Sequence, residues 1–337
     1  MERKCLQAGT AMILLAIFLR LVSIGAVSAF MENPQVLSAV LAVQTGRWVS
    51  KTKTESTPVP PPQTTPTEPT PTETQPAPTE PIPQEQQPAK LSFASADAGL
   101  VEVNSLNGYQ VDVAAMLQTP LGWNLYGDGP TVLILHSHGS ESYENTANSG
   151  YRTLDAGDNM VSVGMRLKER LESVGIGVIH DTTLHDQPSY NDAYVQARAS
   201  IQYYLEQYPS ICLVLDIHRD AVEANGNQLK YTLSVDGNET AQLMMVVGTD
   251  AGGRHHPNWE RNMALAVKLH AQLEKQTPGI CRAISFRTQR FNQDLCPGGM
   301  LVEVGAAGNT RQEALLAADK LADGIIALAH GTADTIY

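Results

Sequence analysis

Residues 56–88 form a segment that cannot contribute to a hydrophobic core. Twelve of the 20 prolines in this 337-residue chain fall between Pro58 and Pro88, among threonine, glutamate and glutamine. Proline has no backbone N–H to donate, and the segment offers almost no apolar side chains to bury. We therefore predict a disordered linker over residues 32–94, whose Pro-rich part samples extended, polyproline-like conformations. At ~3.1 Å per residue, that part would span roughly 100 Å.

Residues 1–31 have the pattern of a membrane-targeting segment. A short positive stretch precedes an apolar run over residues 11–30, which only Arg20 interrupts. About 20 apolar residues in a helix cross a ~30 Å bilayer core. Because residues 27–29 resemble a cleavage site, an uncleaved signal anchor and a cleaved signal peptide both stay open. We predict a single-pass anchor in the cell membrane, with the rest of the chain outside the cytoplasm.

Charge and cysteine content exclude several classes of protein. The chain has 23 Lys and Arg against 35 Asp and Glu, for a net charge of -12. Nucleic-acid binding and docking on anionic lipid both need clustered positive charge, so neither is expected. Four cysteines without a CxxC pair exclude a small disulfide scaffold and a cysteine-based zinc finger.

Residues 95–337 alternate between strand and helix patterns. Short apolar runs predict strands near residues 131–135, 177–179, 211–215, 242–247 and 300–304. Amphipathic or apolar stretches predict helices over residues 158–173, 190–208, 258–276 and 310–330. Alternation of this kind is typical of an α/β domain with a mostly parallel twisted sheet and helices on both faces. In such sheets, ligands bind at the carboxyl ends of the strands.

Three polar clusters lie at the predicted strand ends. They are HSHGSESY at 136–143, DIHRD at 216–220 and MLVEVG at 300–305. Glu303 interrupts an apolar strand, and burying a lone carboxylate costs several kcal/mol unless a cation is near. Histidines and carboxylates at converging strand ends supply the three ligands and the general base that a catalytic zinc site needs. No GxSxG elbow is present, which argues against a serine hydrolase.

Five ordered motifs resemble the stage II sporulation protein P family of endospore-forming bacteria. They are HSHGSESY (136–143), VGMRLKERLESVGIGVIHDTTLHD (163–186), PSYNDAY (188–194), DIHRDA (216–221) and LVEVG (301–305). The family is similar to zinc-dependent N-acetylmuramoyl-L-alanine amidases, which are cell-wall hydrolases. The membrane segment and polar linker also fit the layout of that family.

The resemblance implies a zinc site and a catalytic glutamate. His138 and His218 match the two histidine ligands, and Glu303 matches the acid–base residue. For the acidic zinc ligand, Glu141 is the choice, whereas Asp155 and Glu144 are alternatives.

The implied reaction is hydrolysis of the amide between muramic acid and L-alanine of peptidoglycan, with a second activity against peptide cross-links left open. A non-catalytic wall-binding scaffold and a zinc carboxypeptidase or deacetylase are the competing hypotheses. The resemblance also implies the engulfment proteins SpoIID and SpoIIM as partners, at the sporulation septum.

Several further residues have more than one interpretation. Arg219 would bind an oxyanion or a substrate carboxylate, or form an ion pair with Asp216 or Asp220. His136 is interpreted as a structural or supporting residue. A loop containing His255 and His256 is interpreted as lining a groove, and His180 and His185 as satisfied structural histidines. Whether Cys281 and Cys296 pair is left open.

Overall fold

The computed structural model describes residues 92–144 and 150–332. These residues belong to a unit that spans Ile82–Tyr337. The predicted membrane segment at 1–31 and nearly all of the predicted linker at 32–94 lie outside the described residues, so both stay predictions. Within the described ranges, no helix combines the length and apolar character needed to cross a membrane.

A seven-stranded sheet forms the centre of the fold. The eleven strands of the described residues are β1 (Val103–Ser105), β2 (Val132–Leu135), β3 (Val178–His180), β4 (Leu213–Asp220), β5 (Glu223–Ala224), β6 (Asn227–Gln228), β7 (Thr232–Val235), β8 (Asn238–Ala241), β9 (Leu243–Val247), β10 (Ile284–Phe286) and β11 (Gly299–Ala306). The sheet order is β1-β10-β9-β11-β4-β2-β3, and two short hairpins, β5–β6 and β7–β8, stand apart from it.

Five of the six pairings in the sheet are parallel. The exception is the contact between β11 and β9, which is antiparallel. The sheet therefore consists of two parallel groups that run in opposite directions and meet at β11. The predicted mostly parallel α/β sheet is confirmed. The antiparallel pairing of β9 with β11 was not part of the prediction.

Helices cover the two faces of the sheet unequally. The α-helices are α1 (Val113–Gln118), α2 (Met160–Glu172), α3 (Ala193–Gln207), α4 (Trp259–Gln276) and α5 (Arg311–Thr332). Contacts of α2 with α5, α4 with α5, and α1 with α4 place these four on one face. On the other face, α3 packs Ala197 and Ile201 against Leu133 and Leu135 of β2. The predicted cover on both faces is thus present, and α3 is the single long helix on the second face among the described residues.

Local signals explain where the predicted helices begin and end. The side chain of Asn159 accepts a hydrogen bond from the backbone N–H of Val161, which caps the start of α2. Gly175 follows the end of α2 with a φ of 85°, a left-handed conformation that glycine adopts without strain.

Strand β4 is longer than predicted and carries its polar cluster inside the sheet. Leu215 and Ile217 point into the large core beneath the four helices. Because side chains alternate along a strand, Asp216 and His218 point to the face of α3. The apolar run of the sequence ends at Leu215, whereas the strand continues to Asp220, and beyond Leu215 its apolar residue is Ile217.

Candidate active site

The candidate site is built where β2, β4 and β11 end side by side. Glu303 of β11 is in register with His218 of β4, and Leu135 of β2 is in register with Asp216. The three strands are parallel, so their carboxyl ends lie at the same edge of the sheet. The chain turns sharply after β2, where the backbone N–H of Glu141 donates to the carbonyl oxygen of His138 over 3.2 Å.

The three predicted zinc ligands lie together at this edge. His138, Glu141 and His218 are all buried, with exposed fractions of 7%, 5% and 4%. The two imidazole rings have centroids 5.5 Å apart in an edge-to-face arrangement. Nδ1 of His218 is 3.5 Å from Oε2 of Glu141. The fold therefore brings together residues that are 80 positions apart in the sequence.

A second carboxylate orients His218 from the other side. Nε2 of His218 lies 2.9 Å from Oδ1 of Asp216, which also accepts the backbone N–H of Ser137 at 2.7 Å. The hydroxyl of Ser137 donates to Oδ2 of Asp216 at 2.5 Å. With Nε2–H donated to Asp216, Nδ1 of His218 is the ring nitrogen that faces Glu141. In metal sites, a carboxylate commonly accepts a hydrogen bond from a histidine ligand and so fixes its tautomer.

The electrostatics of the cluster favour a positive charge between the two carboxylates. Burial opposes protonation of His218, but Asp216 outweighs this and raises the pKa of His218 well above its usual value. Burial likewise opposes ionisation of Glu141, yet the contact with His218 and the charge of Arg219 lower the pKa of Glu141. Two ionised carboxylates thus flank one imidazole, and a metal cation would take the place of the imidazole's proton.

Arg219 supports Glu141 from within the protein. Nη1 of Arg219 is 3.6 Å from Oε1 of Glu141. Its guanidinium also donates to the carbonyl oxygens of Ser142 and Tyr151, at 3.0 and 2.9 Å. The ion pair considered for Arg219 with Asp216 or Asp220 is therefore wrong, because Glu141 takes that place. Substrate binding by Arg219 stays a prediction, for a side chain that is 6% exposed and already engaged.

Asp220 is paired elsewhere. Its Oδ2 accepts a hydrogen bond from Nη1 of Arg282 at 2.8 Å.

Glu303 has the environment of an acid–base residue. Its Oε2 is buried and has no hydrogen-bond partner in the described part of the chain. Burial, reinforced by the nearby carboxylates of Glu141 and Asp220, outweighs the opposing charge of His218 and raises the pKa of Glu303 to about 8. A carboxyl group that titrates close to neutral pH is suited to accept and return a proton.

The donor set fits a zinc ion in its chemistry. Two imidazoles and one carboxylate are a usual set of protein ligands for catalytic zinc. Nδ1 of His138 is buried without a hydrogen-bond partner, and the pKa of His138 is lowered by burial and by His218. A neutral imidazole with a free nitrogen is the form that binds metal. In the described residues, no three His, Cys, Asp or Glu side chains converge closely enough to form a finished metal site.

The alternative acidic ligands lie differently from Glu141. Asp155 is exposed in a turn, where its Oδ1 accepts the backbone N–H of Gly157 at 2.8 Å. Glu144 is also exposed, and its backbone N–H donates to the carbonyl oxygen of Asn309. Among the three candidates, the structure brings Glu141 to the histidines.

The other histidines of the first motifs make contacts within the protein. His136 is fully buried, with Nδ1 2.9 Å from the carbonyl oxygen of Ile217 and Nε2 2.9 Å from Nε2 of His180. Burial lowers the pKa of His136 to about 3, so this ring stays neutral. His185 contacts the carbonyl oxygen of His136 and the hydroxyl of Ser200, both at 2.9 Å. These contacts agree with a supporting role.

Two tyrosines complete the surroundings of the histidines. The ring of Tyr190 stacks on His138 with centroids 4.0 Å apart, and that of Tyr194 lies parallel to His218 at 6.3 Å. Sequence reasoning did not single out either residue, although both belong to the PSYNDAY motif. Their spacing of four residues on a predicted helix was the available signal.

The cysteines of the described residues are unpaired. Cys212, Cys281 and Cys296 are free thiols, so the pairing considered for Cys281 with Cys296 is not formed. Burial raises the pKa of Cys296 to about 11. Cys296 packs in the apolar cluster between α3 and the sheet, together with Val214.

A mostly parallel α/β fold with histidines and carboxylates at its strand ends defines the architectural class. The family model for stage II sporulation protein P (SpoIIP) matches residues 42–326, which is most of the chain. The chain belongs to the stage II sporulation protein P family.

One curated relative and several solved structures are similar to the chain. Stage II sporulation protein P of Bacillus subtilis (strain 168) is 28% identical over 213 residues, which is 58% of this chain and 50% of the relative. The chain thus spans about half the length of the curated relative it matches.

Among solved structures, the amidase AmiC2 of Nostoc punctiforme has 17% identity and a TM-score of 0.38, covering 59% of this chain and 97% of its own. The CwlD amidase of Clostridioides difficile, solved in complex with the GerS lipoprotein, has 17% identity and a TM-score of 0.37, covering 60% and 95%.

Proposed function

We propose that the chain is a zinc-dependent peptidoglycan hydrolase that cleaves the amide bond between N-acetylmuramic acid and L-alanine. The observation that carries this proposal is the meeting of His138, Glu141, His218 and Glu303 at one edge of the sheet. Membership of the sporulation family supports a role in remodelling the cell wall during sporulation. Cleavage of peptide cross-links is a second activity that the same site would support.

His138, Glu141 and His218 would hold the zinc ion. When bound, zinc polarises the scissile carbonyl and makes water a stronger nucleophile near neutral pH. Asp216 holds His218 in one tautomer, and Arg219 restrains the carboxylate of Glu141. Both contacts fix the donors before a ligand arrives, which limits the reorganisation needed during catalysis.

Glu303 would move the proton. It takes a proton from the attacking water and returns it to the nitrogen of the leaving L-alanine. This role suits a carboxyl group whose pKa is raised by burial, because its carboxylate is a stronger base than that of an exposed glutamate. Proton transfer by a placed side chain contributes about 10²- to 10⁴-fold to a rate.

The setting in the cell is part of the same proposal. An anchor at residues 1–31 would hold the enzyme in the membrane at the sporulation septum, outside the cytoplasm. The linker at residues 32–94 would give it reach to the wall. SpoIID and SpoIIM are the proposed partners, tested by co-purification of each with the full chain.

The test is an end-group analysis of digested peptidoglycan. The full chain is incubated with purified peptidoglycan and zinc, and the newly formed termini are identified. New amino groups on L-alanine support the amidase, and new termini at cross-links support the endopeptidase. Release of a terminal amino acid or of acetate would instead indicate a carboxypeptidase or a deacetylase.

Two controls decide the mechanism. Glu303→Ala should lose activity by about 10²-fold or more, whereas Glu239→Ala, at an exposed glutamate on β8, should not. Activity that survives a chelator, or survives Glu303→Ala, rejects the zinc mechanism. Binding without any release of fragments favours the non-catalytic scaffold.

A further inference from the structure

A groove of about 520 Å³ opens next to the candidate site. Its walls come from α3, from the loop after β9 and from the loop after β10. The residues that matter for its chemistry are Tyr194, Gly252, Arg254, Arg290, Phe291 and Asn292. The expectation that the loop containing His255 and His256 lines a groove is met through Gly252 and Arg254, not through the histidines.

Tyr194 joins this groove to the candidate zinc ligands. One side of its ring lies parallel to His218, and His138 approaches it edge-on at 5.4 Å. The ring also contacts Phe291 at a centroid distance of 5.9 Å. A substrate held at the histidines would therefore extend past Tyr194 into the groove.

The groove is positively charged in an otherwise acidic protein. Its charged lining residues are Arg254 and Arg290, and no carboxylate lines it within the described ranges. Arg254 is exposed, and none of the ion pairs found in the described residues includes it. Two guanidinium groups at the wall of a concave site attract anions and bind carboxylates well.

The nearby carboxylate of Asp294 does not cancel this charge. Its oxygens accept hydrogen bonds from both terminal nitrogens of Arg198 at 2.9 Å, as well as from Arg290 at 3.1 Å. One carboxylate thus balances two guanidinium groups. The charge of Arg254 has no counterpart there.

The wall of the groove is held in a fixed shape. A Cβ at Gly248 would lie 2.1 Å from the carbonyl oxygen of Gln289, and one at Gly252 would lie 2.6 Å from that of Thr288. The two loops can pack this closely because both positions are glycine.

Two residues of the same wall have a strained backbone. Phe291 and Asn292 have φ values of 51° and 58°, a conformation that non-glycine residues seldom adopt. The amide of Asn292 donates to the carbonyl oxygen of Tyr194 at 2.8 Å, which ties the strained turn to α3. Backbone strain that the surroundings maintain is a feature of binding sites.

From these observations we infer that the groove binds the stem peptide of peptidoglycan, and that Arg254 recognises a free carboxylate on it. This inference rests on the proposed function, because it takes the peptide that follows the scissile amide as the ligand. It assigns to Arg254 the recognition of substrate charge that the sequence had suggested for Arg219. The groove thereby favours acidic peptides over amidated ones.

The test compares two probes that differ only in charge. N-acetylmuramoyl-L-alanyl-D-glutamate carries free carboxylates on its peptide, and its diamide carries none. Binding is measured by calorimetry to the full chain carrying Glu303→Ala, so that neither probe is consumed. The acid should bind about tenfold more tightly than the diamide, as expected for a charge-assisted hydrogen bond.

Variants of Arg254 assign the effect to the groove. Arg254→Ala should abolish the preference for the acid, and Arg254→Lys should retain part of it. Arg166→Ala is the matched control, since Arg166 is a half-exposed arginine on α2, on the opposite face of the sheet. Equal binding of the two probes, no binding of the acid at millimolar concentration, or an unchanged preference in Arg254→Ala would each overturn the inference.

Hydrolysis assays separate this inference from the proposed function. If peptidoglycan is cleaved at the amide but Arg254→Ala has an unchanged KM, the hydrolase stands and the subsite does not. If the acid is preferred through Arg254 but no amide is cleaved, the subsite stands and the hydrolase does not. If the hydrolase and the Arg254 subsite are both correct, Arg254→Ala should have a KM raised about tenfold with little change in kcat.

Discussion

The imidazole of His218 and the carboxylate of Asp216 face each other on the same side of β4, with Nε2 and Oδ1 2.9 Å apart. Because side chains alternate along the strand, both residues lie on the face of α3. Since Nε2 of His218 bonds to Asp216, Nδ1 of His218 is the ring nitrogen that faces Glu141. We expect Asp216→Asn to lower the zinc affinity by about 10- to 100-fold, because the ring loses its fixed tautomer. Titration of the metal-free full chain against a competing chelator measures this.

Asp220→Asn is the matched control for that prediction. Asp220 lies on the same strand but pairs with Arg282, so its variant should bind zinc as the unmodified chain does. Thermal unfolding of both variants establishes that they are folded. Equal zinc affinities for Asp216→Asn and the unmodified chain would show that Asp216 has no part in positioning a ligand.

Arg219 should matter more for stability than for substrate binding. Its guanidinium contacts Glu141 and two backbone carbonyl oxygens in the interior. Removing one partner of a buried ion pair leaves an uncompensated charge, so Arg219→Ala should lower the free energy of unfolding by about 3–5 kcal/mol. Arg219→Lys should restore part of this, because lysine keeps the charge but not the planar fork of donors. Urea unfolding provides the measurement.

Arg282→Ala tests whether a more exposed ion pair contributes less to stability than the buried pair of Arg219 with Glu141. Arg282 and Asp220 retain side-chain exposures of 19% and 20%, so we expect a smaller loss, of about 1 kcal/mol. If Arg219→Ala is as stable as the unmodified chain but has a raised KM, the role of Arg219 is substrate binding, as the sequence had suggested.

The main strands and helices could be predicted because their signals are local. The helix expected over residues 158–173 is observed at Met160–Glu172, where Asn159 and Gly175 mark its limits. The reversal of β9 against β11 was not predicted, since strand direction depends on long-range pairing that no local pattern encodes. β10 and α1 were missed because each is too short to show a clear period.

The site was predictable to the extent that its residues sit at strand ends. Polar residues in and after buried strands indicated where the site would lie, and the resemblance to the family singled out His138, His218 and Glu303. Partners within the site were less accessible: Arg219 pairs with Glu141, and Asp216 with His218, because of side-chain directions that only the folded sheet defines. The groove at Arg254 depends on two loops that meet through glycine backbones, which composition cannot indicate.

Gly164 should be intolerant of a methyl group despite its helical position. A Cβ there would lie 2.6 Å from Nε2 of both His136 and His180. Alanine favours a helix over glycine by about 1 kcal/mol, but the clash in a packed core costs about 1–3 kcal/mol or more. We expect a net loss of stability for Gly164→Ala in urea unfolding.

Met165→Ala, at an exposed position of the same helix, should change stability by less than about 0.5 kcal/mol. A more stable Gly164→Ala would contradict the close packing of α2 on the two histidines.

The ion pairs of Asp294 predict a specific loss of stability in acid. Burial favours the neutral form of this carboxyl group, but Arg198 and Arg290 outweigh it and lower the pKa of Asp294 below the usual 3.8. A pKa lower in the folded than in the unfolded chain contributes stability above about pH 4, and this contribution is lost as the pH falls through the folded value. Asp294→Asn should therefore be less stable than the unmodified chain at pH 6, and the difference should shrink as the solution is acidified below pH 4. Urea unfolding at a series of pH values measures it. Asp319→Asn is the control. Its partner Arg166 is half-exposed, so the stability difference between Asp319→Asn and the unmodified chain should stay small at every pH. A difference for Asp294→Asn that is independent of pH would mean that the loops around Arg290 are held by packing and not by these ion pairs.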